Sequence, residues 1–300
     1  MKPQMLMSPC YESAYLRVRI LDCGIVRALS RNRYRRSRQP AGSKIYVLKL
    51  ILVVSLFCTV LPASSEDSRG EARERIEPEG FLYGIGLAVD REIYKDYDRR
   101  VILLPVIGYR GEKLTVFGPF VRYELLKSGA VDFSIQASPR FDGFDESDSD
   151  IFEGMDERKF SMDLGVGVEY ARDDWKFELS SLHDVLGRSN GTEMSTGLSK
   201  VFRSGSLFIE PGIEFSYLDS RHVDYYYGVS ANEVASFRPR FEGDDAVNTN
   251  IGITVTTPAL FNGLTRFGFE HTWYDPDISD SPLTDEDTSL SFFFAYSRFF

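Results

Sequence analysis

Cysteine is absent from most of this chain, because Cys10, Cys23 and Cys58 all lie within the first 65 of its 300 residues. The remainder therefore has neither a disulfide framework nor thiol chemistry. Long apolar runs are also missing. The longest spans residues 50–61, whereas a helix that crosses a bilayer needs about 20 apolar residues. The sequence thus excludes a helical membrane protein.

Recognisable catalytic chemistry is scarce as well. The chain has three histidines, and no His-Glu-x-x-His zinc motif contains any of them. His183 has Ser180, Ser181 and Asp184 as neighbours, which makes a hydrolase one hypothesis. Neighbours of this kind also arise by chance in a polar strand, and they do not define a triad. We therefore predict a protein that is not an enzyme, with no catalytic residues, cofactor or metal.

The short apolar run suits the core of a secretory signal peptide. Eleven Lys or Arg residues and two acidic residues precede it in 1–49, and the small residues Ala63 and Ser65 follow it. Residues 1–65 are accordingly predicted to be removed, and the polar residues 66–79 to form a disordered leader. The long basic segment has two interpretations: translation begins near Lys44, or the signal peptide is extended.

Without this basic segment, the chain has far fewer basic than acidic residues. Residues 66–300 contain 24 Lys or Arg against 43 Asp or Glu. An acidic surface repels phosphates, so nucleic acid is excluded as a partner.

From residue 80 onward apolar and polar side chains alternate, which is the period of a β-strand. In 131–136, for example, Val131, Phe133 and Ile135 alternate with Asp132, Ser134 and Gln136. Most alternating runs have about 9 to 12 residues, and a tilted membrane strand needs about 9 to 11.

The connections between these runs alternate between short and long. Residues 172–174, 203–206 and 262–263 are tight turns, whereas 142–159, 219–247 and 275–287 are long and acidic. Short periplasmic turns and long outer loops are typical of an outer-membrane β-barrel, as are aromatic residues at strand ends. A soluble β-sandwich or lipocalin-like barrel is the alternative.

Eleven runs can be counted, but a closed antiparallel barrel with both ends in the periplasm needs an even number. Proline cannot donate to a β-ladder, so Gly118-Pro119 predicts a split into two short strands, 112–117 and 120–126. The fold class is therefore a closed antiparallel transmembrane β-barrel of about 12 strands over residues 80–300. Ten strands is the alternative if the run 193–202 is not a strand. The final Phe300 resembles the terminal signature of outer-membrane proteins, although Arg298 interrupts its apolar stripe.

Several stretches carry a resemblance to a known family. They are 117–119 before a strand ending at 123–126, 152–158 before Leu164-Gly165, 226–230 before Glu233 and Ala235, and 280–283. In order and spacing they resemble the MipA/OmpV family of outer-membrane proteins. The resemblance implies a scaffold that links a lytic murein transglycosylase to a murein synthase at the envelope of a Gram-negative bacterium. It also admits adhesins, osmoregulated proteins and pores, since a fold does not fix a function.

Inward polar residues leave a second function open. Asp132, Arg140, Asp163, Glu169, Glu210 and Glu214 are predicted to line the lumen, either as a pore or as a plug of paired charges. A narrow channel for small solutes is therefore the alternative to the scaffold, and an outer-membrane hydrolase is a third hypothesis. The acidic residues Asp142, Asp145, Glu146, Asp148 and Asp150 are interpreted as a solvated loop beside outer-membrane lipid and lipopolysaccharide rather than as a Ca²⁺ or Mg²⁺ site.

Overall fold

The computed structural model describes residues 79–300 other than 98, 259 and 261. The predicted signal segment, 1–65, and the leader up to residue 78 lie outside the described residues. Within the described part, no helix has the length and apolar character needed to cross a membrane.

Thirteen strands, two α-helices and one 3₁₀ helix (Asp150–Phe152) make up the regular structure of the described residues. The strands are β1 (Gly80–Arg91), β2 (Arg99–Arg110), β3 (Leu114–Phe117), β4 (Phe120–Ser128), β5 (Val131–Arg140), β6 (Ser161–Arg172), β7 (Trp175–Asp184), β8 (Thr192–Lys200), β9 (Phe202–Ser204), β10 (Leu207–Leu218), β11 (Ala246–Thr257), β12 (Leu264–Trp273) and β13 (Thr288–Phe299). The helices are α1 (Ser220–Tyr227) and α2 (Pro276–Ser279).

The strands form one closed antiparallel barrel. Neighbours in the chain pair with each other, and β1 pairs with β13 from Leu82↔Phe299 to Asp90↔Ser291. β8 and β9 are separated by Val201 alone and both pair with β10, so together they act as one strand of the wall. The barrel therefore has twelve strands, and the predicted fold class is confirmed.

The predicted split at Gly118-Pro119 is also confirmed. β3 ends at Phe117 and β4 begins at Phe120, and these two residues pair across the turn. Gly118 has a φ of +56°, and the space where its Cβ would lie is open. Glycine adopts this left-handed conformation without strain, so Gly118 makes the turn. Pro119 has no backbone N–H to donate to the ladder.

The two faces of the wall differ as the alternation predicts. On β6, for example, Leu164 and Val166 point outward and are exposed, whereas Asp163 and Gly165 point into the barrel. Exposed apolar residues in a continuous outer band suit contact with lipid rather than water.

Long and short connections lie at opposite ends of the barrel. The turns 111–113, 129–130, 173–174, 205–206 and 258–263 form one end. At the other end, residues 92–97, 141–160, 219–245 and 274–287 pack together, and we call this assembly the cap. Because the cap loops leave from strands on all sides of the barrel and share their apolar contacts, they cover its outer mouth.

The ladder that closes the barrel generates a prediction about β1. A Cβ at Gly84 would overlap the carbonyl oxygen of Tyr296 on β13, whereas a Cβ at Gly86 would meet no atom nearer than 3.8 Å. We expect Gly84→Ala to destabilise the barrel by about 2 kcal/mol, the usual range for overpacking, and Gly86→Ala to leave it nearly unchanged. Urea unfolding followed by heat-modifiable gel mobility measures both, and equal stability of the two variants would contradict the assigned register.

Candidate functional site: the barrel interior and its cap

The cap has a hydrophobic core of its own. Tyr94, Phe144, Phe152 and Leu283 come from three different loops and are almost completely buried. The rings of Phe144 and Phe152 stack with centroids 3.8 Å apart, and Tyr94 meets both rings edge-on. The long loops are therefore a packed structure at the barrel mouth.

A second cluster joins the cap to the barrel rim. Val223 of α1 and Ile278 of α2 pack against Ile93 and against Leu218 and Ala246, which end and begin two wall strands. The side chain of Asp219 accepts a hydrogen bond from the backbone N–H of His222 and so caps the N-terminus of α1. Such a cap satisfies a donor that the first turn leaves free.

Two buried arginines tie distant parts of the cap together. Arg238 is 1% exposed and donates to the backbone carbonyls of Ile151, Glu153 and Glu233. Arg158 pairs with the Glu233 carboxylate at 2.8 Å. The guanidinium groups thereby satisfy carbonyls that the irregular backbone leaves without ladder partners.

Glu233 is the acidic centre of this network. Besides Arg158, its carboxylate accepts hydrogen bonds from the backbone N–H and hydroxyl of Ser230 and from the backbone N–H of Asp156. Burial alone would raise the pKa of Glu233, but the hydrogen bonds from Arg158 and Ser230 lower it to about 2. The carboxylate is therefore ionised at neutral pH.

Beneath the cap, Arg140 lies at the centre of a polar cluster. Its guanidinium donates to Asp163 at 2.5 Å, to Glu193 at 2.5 Å and to Asp142 at 3.2 Å. Burial opposes ionisation of Asp142, but the charges of Arg140 and Arg100 hold the pKa of this carboxyl below its usual range.

His222 is neutral at the underside of the cap. Burial lowers the pKa of His222 to about 3, and the positive charge of Arg140 adds to the effect. Its ring packs against Tyr226, whose hydroxyl is buried without a hydrogen-bond partner among the described residues.

Paired charges and one acidic space occupy the middle of the lumen. Arg122 lies 3.3 Å from Asp132 and 3.8 Å from Glu169, and Lys176 lies 2.9 Å from Glu210. A cavity of about 190 Å³ is lined by carboxylates and by Asn250; the carboxylates belong to Glu178, Glu210, Glu214 and Glu270. All six residues predicted to line the lumen lie on the inner face, and most of their charges are compensated.

The predicted Ser–His neighbours do not form a catalytic site. His183 points outward, with its Nδ1 3.1 Å from the hydroxyl of Thr192, whereas Ser180 points inward and contacts Ser195. Asp184 accepts hydrogen bonds from Ser161 and from the backbone of 186, 189 and 190. Its carboxylate therefore stabilises the β7–β8 loop and does not orient the imidazole.

Residues 187–191 read Gly-x-Ser-x-Gly, the pattern around the nucleophilic serine of many hydrolases. In hydrolases the serine of this motif stands on a strand-to-helix turn, but here the motif lies in the loop between β7 and β8. The hydroxyl of Ser189 contacts Asp184 and accepts a hydrogen bond from the backbone N–H of Gly191. The motif therefore has a local structural role.

The acidic residues 142–150 do not converge on one point. Asp142 faces Arg140, Asp145 accepts hydrogen bonds from Ser147, and Asp148 accepts one from the backbone N–H of Asp145. In the described part of the chain, no three His, Cys, Asp or Glu side chains are placed to hold a metal ion. The carboxylates of Asp145 and Asp148 therefore stabilise a turn of this loop.

Some cap residues were not anticipated from the sequence. Arg158, Glu233 and Arg238 lie in loops that the sequence indicates only as long and acidic. Local signals did exist for the helices, since Asp219 precedes α1 and Asp275-Pro276 begins α2, and both are helix-start patterns.

A closed barrel with an apolar outer band, a polar lumen and loops of unequal length defines an outer-membrane β-barrel protein. The family described as MltA-interacting protein MipA matches residues 83–300. The chain belongs to this family, as the loop resemblance predicted.

Relatives support the location in the outer membrane of a Gram-negative bacterium. The putative outer membrane protein YiaT of Escherichia coli (strain K12) is 26% identical over 213 residues, 70% of this chain and 86% of that protein. The MltA-interacting protein of the same strain is 26% identical, over 69% of this chain and 84% of its own length. The outer membrane protein OmpV of Vibrio cholerae serotype O1 is 23% identical, over 67% and 79%.

The lowered pKa of Glu233 generates a prediction about acid. Because the folded-state pKa is about 2 and the ordinary value is 4.5, its contribution to cap stability is complete above pH 4.5 and is lost as the pH falls from 4.5 toward 2. We expect the protection factors of the backbone amides in residues 229–241, which correct the exchange rates for their intrinsic pH dependence, to fall over this window. Glu233→Gln, which holds a neutral group at every pH, should give lower protection factors at pH 7 and a weaker dependence of these factors on pH. Unchanged protection factors of the wild-type segment between pH 5 and pH 2.5 would contradict this role.

Proposed function

We propose that this barrel is a structural protein of the outer membrane that holds a murein-processing enzyme at its periplasmic end. It is not itself an enzyme in this proposal and uses no cofactor. The observation that carries the proposal is the unequal distribution of charge between its two ends.

The cap is strongly acidic. Its four loops contain 22 Asp or Glu and 6 Lys or Arg residues. Such a surface suits the outer leaflet, where divalent cations bridge carboxylates to the phosphates of lipopolysaccharide. Because the cap has a packed core, it closes the outer mouth of the barrel. A closed mouth fits a structural role better than that of a general porin.

The opposite end is basic although the chain as a whole is acidic. Within three residues of its five turns lie seven Lys or Arg and four Asp or Glu residues. Lys113 and Lys127 are exposed there and form no ion pair among the described residues. Electrostatic complementarity steers association, so this end favours an acidic periplasmic partner. One relative is named MltA-interacting protein, which supports a lytic transglycosylase as that partner.

Capture of periplasmic proteins on the immobilised barrel tests the proposal. We expect wild-type protein to enrich a murein transglycosylase or synthase, identified by mass spectrometry, and Lys113→Gln/Lys127→Gln to lose most of this enrichment because the attractive charges are gone. Arg240→Gln, an exposed change on the cap, is the matched control and should retain it. The absence of an enriched murein enzyme with wild-type protein would overturn the proposal.

A narrow cation channel is the second candidate, and the acidic cavity in the lumen favours it. Planar-bilayer recording separates the two. We expect the wild-type barrel to be silent because the cap is closed. Phe152→Ala should open it, because loss of a fully buried Phe costs about 3 to 5 kcal/mol, whereas exposed Phe237→Ala should not. Steady cation-selective conductance of the wild type, unchanged by Phe152→Ala, would instead support the channel.

A further inference from the structure

The wall of the barrel is incomplete beside β2. Only Gly108, Tyr109 and Arg110 of this strand pair with β3, and the carbonyl of Ile107 accepts one more hydrogen bond, from Gly118 at the tip of the β3–β4 hairpin. Residues 99–106 have no strand on this side within the described residues. Across the interruption, pairing of β5 with β4 ends at Ala137.

The backbone direction shows which residues face this interruption. In an antiparallel ladder, alternate residues direct N–H and C=O to the same neighbour. Because the carbonyl of Ile107 points toward β3, the backbone groups of Val101, Leu103 and Pro105 point the same way. On β5, the carbonyl of Ala130 points toward β6, so Pro139 points toward the interruption.

The two strands that border the interruption, β2 and β5, therefore each carry a proline, and the backbone nitrogen of this proline, which has no hydrogen, faces the interruption. Proline is confined to edges and breaks of a sheet because it cannot donate to a ladder. Pro211 follows the same rule, since its open side faces the break between β8 and β9. The positions of the prolines in the sequence thus also indicate the interruption. They disfavour an added polypeptide strand there, because that strand would pair with a proline on each side.

The interruption lies within the apolar band. The outward residues Val101 and Leu103 of β2 are 58% and 62% exposed. Lipid therefore reaches this edge.

The inner face of β2 is apolar as well. Ile102, Leu104 and Val106 point into the barrel, and residues 101–107 form an unbroken apolar run. The inner face of β5, across the interruption, is polar and carries Asp132, Ser134, Gln136, Ser138 and Arg140. A strand that is apolar on both faces is expected where both faces meet apolar material. Val106 is buried by the protein itself, whereas Ile102 and Leu104 are only partly buried.

We propose that this interruption is a lateral opening between the lumen and the hydrocarbon layer, and that it takes the acyl chain of a lipid against Ile102 and Leu104. Unpaired backbone is tolerated at membrane depth only where it is buried or lines a water-filled cavity. The polar lumen supplies that water for the unpaired N–H and C=O groups on this side of β2, and the acyl chain covers Ile102 and Leu104.

Quenching of tryptophan by brominated lipid tests this opening, because bromine on an acyl chain quenches only on contact. Both tryptophans of the chain, Trp175 and Trp273, are replaced by Phe, and single tryptophans are introduced by Leu104→Trp, Thr254→Trp or Leu103→Trp. Protein purified from outer membranes is placed in phosphatidylcholine vesicles with or without brominated chains. Leu103→Trp is the lipid-facing reference, and Thr254→Trp is the matched control on the polar inner wall.

We expect Leu104→Trp to lose at least half as much fluorescence as Leu103→Trp, and Thr254→Trp to lose almost none. Quenching of Leu104→Trp as weak as that of Thr254→Trp would overturn the proposal, and so would equal quenching at both inner positions, which indicates lipid throughout the lumen. Heat-modifiable mobility verifies folding of each variant. If Leu104→Trp does not fold, Ile102→Trp occupies the same inner face and takes its place under the same criteria.

Discussion

The absence of water from the hydrocarbon layer governs this structure, because every backbone N–H and C=O at that depth must find a partner within the protein or face a water-filled cavity. The β1–β13 ladder meets this demand by closing the sheet. Where the ladder is interrupted, a proline removes one donor that would otherwise be unpaired: Pro211 at the β8–β9 break, and Pro105 and Pro139 on either side of the shortened β3–β4 hairpin. The strand prolines therefore mark where closure is relaxed, and the rest of the wall is continuous.

A polar lumen cannot serve as a hydrophobic core, so apolar burial moves to the cap. Phe152, Val223 and Leu283 are completely buried there, whereas the large outward residues of the strands remain available to lipid. Ordering long loops costs conformational entropy, and burial of these side chains offsets it. The buried ion pair between Arg158 and Glu233 contributes more to the specific geometry of the cap than to its net stability, since the cost of desolvation offsets much of the attraction between the two charges.

The barrel could be predicted from the sequence because the patterns that specify its strands and turns involve residues close together in the chain. Period-two alternation located the strands to within a few residues, and the even-number rule together with Pro119 gave twelve. The cap could not be predicted in this way, because its contacts are distant in the chain: Arg238 binds the carbonyls of Ile151 and Glu153, and Tyr94 packs on Phe144. An acidic loop that folds and one that remains solvated have nearly the same composition, and only long-range pairing separates them.

The cap and the open edge of β2 are physically connected. Glu92 of the cap accepts a hydrogen bond from Arg100 at the start of β2 at 2.6 Å, and Arg100 lies over the ring of Tyr97. A strand paired along most of its length on one side only would otherwise fray at its free end. This contact fixes that end of the strand. The cap loop that covers the outer mouth therefore also anchors the strand that borders the interruption.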